Sequence, residues 1–122
     1  MIDILVISYD KDADEADIQI SAGNISILCY AQPVKDLKAV CADKDPVLCA
    51  FMARDIVLDE NPDPIALKTN EAYYAYRLRG VVVSEKQIKV GELLIGIDSV
   101  IPRDIMPGQS VVMSCSRIDL II

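Results

Sequence analysis

Apolar and polar residues alternate along most of this chain with the period of two that marks β-strands. Ile2, Ile4 and Val6 share one parity, interleaved with Asp3, Leu5 and Ile7, which reads as a strand buried on much of both faces. "ADIQIS" alternates at Ile18 and Ile20, and "ISILCYA" at Ile25, Ile27 and Cys29. Between them Gly23-Asn24 makes a tight turn, because both residues tolerate a positive φ. Residues 17–31 therefore form the clearest hairpin in the chain. After Pro46, "VLCAFMARDIVLD" reads as one long strand, although "LCAFMARDI" also suits a helix. "DENPDP" is a loop fixed by two prolines.

Three later runs change parity midway. "EAYYAYRLRGVVVS" places Tyr74, Tyr76 and Leu78 on one face, then Val81 and Val83 on the other after Gly80. "QIKVGELLIGIDS" has Ile88 and Val90 before Gly91, and Leu93, Ile95 and Ile97 after it. A turn at Pro107-Gly108 introduces the last run, where Val111, Met113 and Cys115 give way to Ile118, Leu120 and Ile122 near Ser116-Arg117. Parity switches are what bulges and sharp bends produce, so the chain is expected to curve strongly. The pattern predicts one all-β domain over residues 1–122, a curved antiparallel barrel or sandwich of about seven or eight strands. At most one short helix is expected, between Pro33 and Pro46, where Leu37, Val40 and Cys41 can line a helical turn and a loop crossing the barrel or sandwich fits equally well.

Charge changes the picture next. The chain carries a net −7. Residues 1–63 hold 13 acids and 5 bases, a net of −8, and residues 64–122 hold 6 acids and 7 bases, a net of +1. An acidic chain is repelled by phosphate backbones and anionic lipid, which argues against nucleic acid and membrane surfaces as partners. No apolar run approaches the length of a membrane span, and no signal peptide is read at the N-terminus, so a cytoplasmic protein is expected. Cys29, Cys41, Cys49 and Cys115 form no C-x-x-C pair and are expected to be reduced, structural thiols.

Candidate chemistry is sparse. There is no histidine, so Ser-His-Asp and Cys-His arrangements are absent. Asp10-x-Asp12-x-Asp14 has the spacing that opens an EF-hand loop, but Glu15 stands where that loop needs glycine and Ser21 where it needs glutamate. The cluster is left as a weak calcium site, a solvated loop or an acidic patch facing a partner. In "YYAYRLR", Tyr73, Arg77 and Arg79 share a parity that would suit stacking and clamping RNA. The competing reading has one parity in the core and the arginines paired with carboxylates. No catalytic residue, metal ligand or cofactor site is assigned.

The short start "MIDILVISYD", the hairpin "ADIQISAGNISILCYA" and the closing "PGQSVVMSCSRIDLII" together resemble the small acidic all-β immunity proteins of bacterial toxin–immunity systems, including contact-dependent inhibition. The resemblance implies a non-catalytic protein that binds one cognate toxin, often a basic nuclease, and blocks its active site. It carries over no functional residue by position. From the residues themselves, the expected partner surface joins Asp10, Asp12, Asp14, Glu15 and Asp17 with a second acidic cluster, Asp59, Glu60 and Asp63. Tyr73, Tyr74 and Tyr76 are expected to supply its packed centre. The alternative is an OB- or barrel-type binding or scaffold module of an oligomeric assembly, and a small enzyme or metal-binding domain stands third.

Overall fold

The computed structural model describes residues 1–122. Strands β1 (Asp3–Asp10), β2 (Glu15–Ala22) and β3 (Ile25–Ala31) form an antiparallel meander. Helix α1 (Leu37–Ala42) follows, then β4 (Val47–Phe51), β5 (Arg54–Leu58), β6 (Ile65–Lys68), β7 (Tyr76–Ser84), β8 (Gln87–Val90), β9 (Leu93–Ile97), β10 (Ser110–Cys115) and β11 (Arg117–Ile121). All eleven strands belong to one mixed sheet, ordered β1-β2-β3-β11-β4-β9-β8-β7-β10-β5, with β6 on β7.

The predicted all-β character is found, and of the two readings open between Pro33 and Pro46 the structure takes the short helix. The predicted architecture is corrected. The sheet is open and mixed, with more strands than expected: β3 runs parallel to β11, and β4 parallel to β9. The extra strands arise because three apolar runs break at corners and Ile65–Lys68 adds a short strand of its own. Residues 47–58 turn at Met52, residues 87–97 at Gly91, and residues 110–121 at Ser116.

The hairpin of residues 17–31 forms as the sequence predicts. Ala16, Ile18, Ile20 and Ala22 point inward from β2, and Ile25, Ile27, Cys29 and Ala31 from β3. Gly23 adopts φ +58° in the turn between them. Helix α1 starts because the Asp36 carboxylate accepts hydrogen bonds from the Lys38 and Ala39 amides, at 3.1 and 3.2 Å. It buries only Val40.

Two parity readings are corrected. Gly80 does not reverse β7: Tyr76, Leu78, Gly80 and Val82 all point inward. The glycine is there for close approach, since a Cβ would lie 2.7 Å from the Lys89 carbonyl oxygen. Gly91, at φ +60°, makes the turn between two strands and does not bend one. Ser116 is a true switch, separating inward Val111, Met113 and Cys115 from inward Ile118 and Leu120. The first strand is also less buried than expected: it lies at the end of the sheet, with Leu5 60% exposed.

The core is one cluster of 28 buried residues drawn from eight of the eleven strands, helix α1 and the connecting loops, with β1, β5 and β6 packed against it by partly buried side chains. Its largest members, among them Ile18, Ile20, Ile27, Leu78, Ile88, Leu93, Ile95 and Ile118, are fully buried. Each such aliphatic side chain contributes about 1.5–3 kcal/mol relative to exposure. The open sheet coils around this cluster because β10 and β11 are consecutive. That segment pairs with β7 and β5 through its first half and with β4 and β3 through its second. Between β3 and β6 no ladder forms. There the Leu28 amide donates to the Tyr76 hydroxyl at 2.9 Å, which stitches the seam from inside.

Candidate binding surface

The acidic run is the tip of the β1–β2 hairpin. The Asp10 carboxylate accepts hydrogen bonds from the Asp12 and Ala13 amides at 3.0 and 3.3 Å and so shapes the turn. Asp14 sits at φ +54°, a conformation that aspartate tolerates better than most residues, and pairs with Lys35 at 2.5 Å. The Val34 amide donates to the Asp14 carbonyl oxygen, the Gln32 side-chain amide to the Ala13 carbonyl oxygen, and the Tyr9 hydroxyl to the Val34 carbonyl oxygen. Residues 32–35 thus brace the tip from one side. Asp10 and Asp14 are committed to this scaffold. Asp12 is exposed, and Glu15 meets the Gln32 side-chain amide at 3.5 Å beside the Tyr30 hydroxyl.

Asp17 connects the tip to the tyrosines. Its carboxylate accepts hydrogen bonds from the Tyr74 hydroxyl at 2.6 Å and the Tyr73 hydroxyl at 3.3 Å. Burial, followed by the Asp17 bond and charge, pushes the Tyr74 phenol well above its ordinary range, and the Asp17 charge raises Tyr73. Both hydroxyls therefore stay protonated donors at neutral pH. The rings pack edge-on: Tyr73 to Tyr74 at 4.7 Å between centroids, and Tyr74 to Tyr30 at 5.7 Å. Arg117 covers Tyr30 at 4.8 Å and Phe51 at 5.4 Å while it grips Asp119 through two bonds of 2.6 and 3.0 Å. Lys68 lies 4.7 Å over the Tyr73 ring and bonds the Tyr73 carbonyl oxygen. The result is a pre-organised patch in which Tyr73, 60% exposed, stands highest.

Three expectations about this surface are corrected. Tyr76 is not on it: the side chain is buried, with its hydroxyl spent on Leu28. Tyr73 and Tyr74 do not lie on a strand face either, because β7 begins at Tyr76 and they occupy the preceding turn. The second acidic cluster does not join the first. Asp59, Glu60 and Asp63 lie in the β5–β6 loop. A Cβ on Gly91 would meet Ile25 at 3.2 Å and Pro64 at 3.8 Å, which puts this loop beside the Gly23–Asn24 end of the hairpin. The Asp10–Glu15 tip is at the other end, roughly 25 Å away along β2. Asp59 is also internally satisfied. The Asn61 amide and Arg79 hold its carboxyl below the usual range.

Tyr30, Phe51, Lys68 and Arg117 belong to the patch and were not foreseen. Tyr30 was within reach of the sequence, since a two-residue turn at Gly23-Asn24 sets Tyr30 directly opposite Asp17. The other three come from distant strands and carry no local signal. No helix of the chain is long and apolar enough to cross a membrane. Comparison with known proteins finds no match among family models, curated proteins or solved structures.

Proposed function

We propose that this chain is a non-catalytic binding protein whose docking surface is the acidic hairpin tip together with the Tyr73–Tyr74 patch. The partner is a basic protein, and a nuclease-like toxin is the partner class that the immunity-protein resemblance names. One observation carries the reading: Asp17 ties the acidic tip to two rigid, edge-packed tyrosines, one of them largely exposed. Exposed ion pairs contribute only about 0–1 kcal/mol each, so affinity must come from a packed centre. Tyrosines supply contact area at little entropic cost, and the surrounding carboxylates steer a cationic partner.

The test compares the wild-type chain with Asp12→Asn/Glu15→Gln and with Tyr73→Ala. A cationic partner recovered by pull-down should lose association rate with the first variant and show a faster dissociation rate with the second. Its association rate should also fall as salt rises. An association rate and salt dependence unchanged by the charge variant would show that the tip is a solvated turn.

A further inference from the structure

The strand order ends in β1 and β5, and these two edges differ. β5 has five residues, a break of register against β10 and a positive φ at Asp55, and the loop carrying Pro62 and Pro64 follows it. Such features blunt a strand edge. β1 has eight residues, "DILVISYD", with no proline, lysine or glycine. Its single irregularity is a bulge at Ile7. Its main chain pairs with β2 alone, and no loop amide or carbonyl bonds its other edge. Helix α1 packs against β1 but bonds none of its main chain.

The β1–β2 register sorts the side chains along this edge. Ile4, Val6 and Tyr9 stand opposite buried Ile20, Ile18 and Ala16 and so face inward, whereas Asp3, Leu5, Ser8 and Asp10 face outward. Leu5 and the bulged Ile7 are 60% and 49% exposed. An apolar stretch is thus bounded by Asp3 at one end and by Asp10 and Asp12 at the other. None of these three carboxylates pairs with a lysine, an arginine or the N-terminal amine. Lys11, the cation between the last two, makes no ion pair either. Ser8 stands opposite Asp17, the residue that holds both tyrosine hydroxyls. A strand added to β1 would lie about 10 Å from β2, beside the tyrosine patch.

We propose that an extended segment of the basic partner adds to the sheet along the free edge of β1, with an apolar middle over Leu5 and Ile7 and a lysine or arginine at each end, facing Asp3 and Asp10. The inference rests on the functional reading above and adds the mode of docking. In such a pairing main-chain hydrogen bonds supply affinity, and alternate side chains supply selectivity. A second copy of this chain fits the edge less well. Full antiparallel overlap of two β1 strands would set Asp3 of each opposite Asp10 of the other, and like charges directly opposite repel.

The probe is a blocked peptide of alternating valine and threonine with lysine at both ends, about seven residues long because the bulged residue of β1 needs no mate. It is titrated into the full chain, and amide hydrogen exchange is followed by nuclear magnetic resonance. Protection is expected at the β1 amides that β2 leaves free, with no change in β5. Glutamate in place of the lysines should weaken binding by about two- to fivefold per end. Methylating the peptide nitrogens that face β1 should abolish the protection. Leu5→Lys should weaken the lysine peptide with circular dichroism unchanged, and Asp3→Lys should reverse the charge preference at its end. Absence of protection with the peptide at about 1 mM overturns the proposal. So does equal binding of the methylated or the glutamate peptide, or β1 protection that grows with the concentration of the chain alone, which would give the edge to a second copy. The recovered partner separates the two readings. If Tyr73→Ala weakens its capture and Leu5→Lys does not, docking along β1 falls and the tyrosine surface stands; the reverse result keeps β1 and removes the tyrosines.

Discussion

Replacing Tyr76 by phenylalanine tests how the open sheet holds its seam. The ring would stay in place, 5% exposed in the wild-type chain, and only the hydroxyl would be lost. That hydroxyl is the partner of the Leu28 amide at 2.9 Å, in a half-buried position beyond the short pairing of β3 with β11, which is in register only at Tyr30. A buried amide left without a partner costs about 1–3 kcal/mol. Because Leu28 is only half-buried, the lower part of that range applies, about 1–2 kcal/mol. A chain of 122 residues has an unfolding entropy of about 0.26 kcal/mol/K, so the melting temperature should fall by about 4–8 °C. Urea titration should move the midpoint and leave the slope unchanged, since the surface exposed on unfolding is the same. Hydrogen exchange at the Leu28 amide should accelerate more than at the Ile27 and Cys29 amides. Tyr73→Phe is the control: its hydroxyl is exposed, and less than about 0.5 kcal/mol is expected. If Tyr76→Phe also falls within 0.5 kcal/mol of the wild-type chain, water replaces the hydroxyl and the seam is not held by this bond.

Gly80→Ala should cost at least about 2 kcal/mol in chemical denaturation, because the added Cβ meets the Lys89 carbonyl of a paired strand and that backbone cannot withdraw; wild-type stability would refute the account of Gly80. In the native chain at pH 8, a disulfide reagent should modify the exposed Cys41 rapidly and the half-buried Cys49 slowly. Cys29 and Cys115 should react only on unfolding, since burial raises both thiols, Cys115 to about 11, and rapid modification of either would contradict their placement. Asp98 is exposed; desolvation against the neighbouring chain pushes its carboxyl up, but the Met52 and Ala53 amides, at 2.7 and 3.1 Å, hold it below the ordinary carboxylate range. A lowered folded-state value means stability present above the unfolded value and lost as pH falls through the folded one. Asp98→Asn should therefore flatten the acid limb of the stability curve below about pH 5, and an unchanged limb would refute that role.

Much of the fold was legible where the determinants are local. The Gly23-Asn24 turn, the β2 and β3 faces and the loop at residues 59–64 each follow from residues next to one another, whereas between Pro33 and Pro46 the sequence left helix and loop equally open. The corner at Met52 was not legible. Alternation continues through "VLCAFMARDIVL", and the break is fixed by Asp98, 46 residues further along the chain. Gly80 misled because Val81, Val82 and Val83 suit either parity, and only the packing of Lys89 against the glycine decides which valine is buried. Short β6 has no pattern of its own and exists by pairing with β7. The candidate surface divides in the same way. The acidic tip is contiguous in sequence, whereas the bonds of Tyr73 and Tyr74 to Asp17 span more than fifty residues.

The position of the β10–β11 segment in the chain bears on how the molecule assembles. Residues 110–121 pair with β5, β7, β4 and β3, and they leave the ribosome after all four of those strands. Before they arrive, backbone pairing divides the chain into pieces: the β1–β3 meander, and a group in which β4 joins β9, β8, β7 and β6. A nascent chain halted near Gln109 thus presents β3, β4, β5 and β7 with edges that have no mate, and with core aliphatics in water. Closure of the sheet has to wait for residues 110–121, and its search reaches back to β3. Topologies of this kind fold on the millisecond-to-second scale. The interval before closure is when strand edges of neighbouring chains compete for one another, so the rate of synthesis and the presence of a holdase should govern yield more than the stability of the finished sheet does.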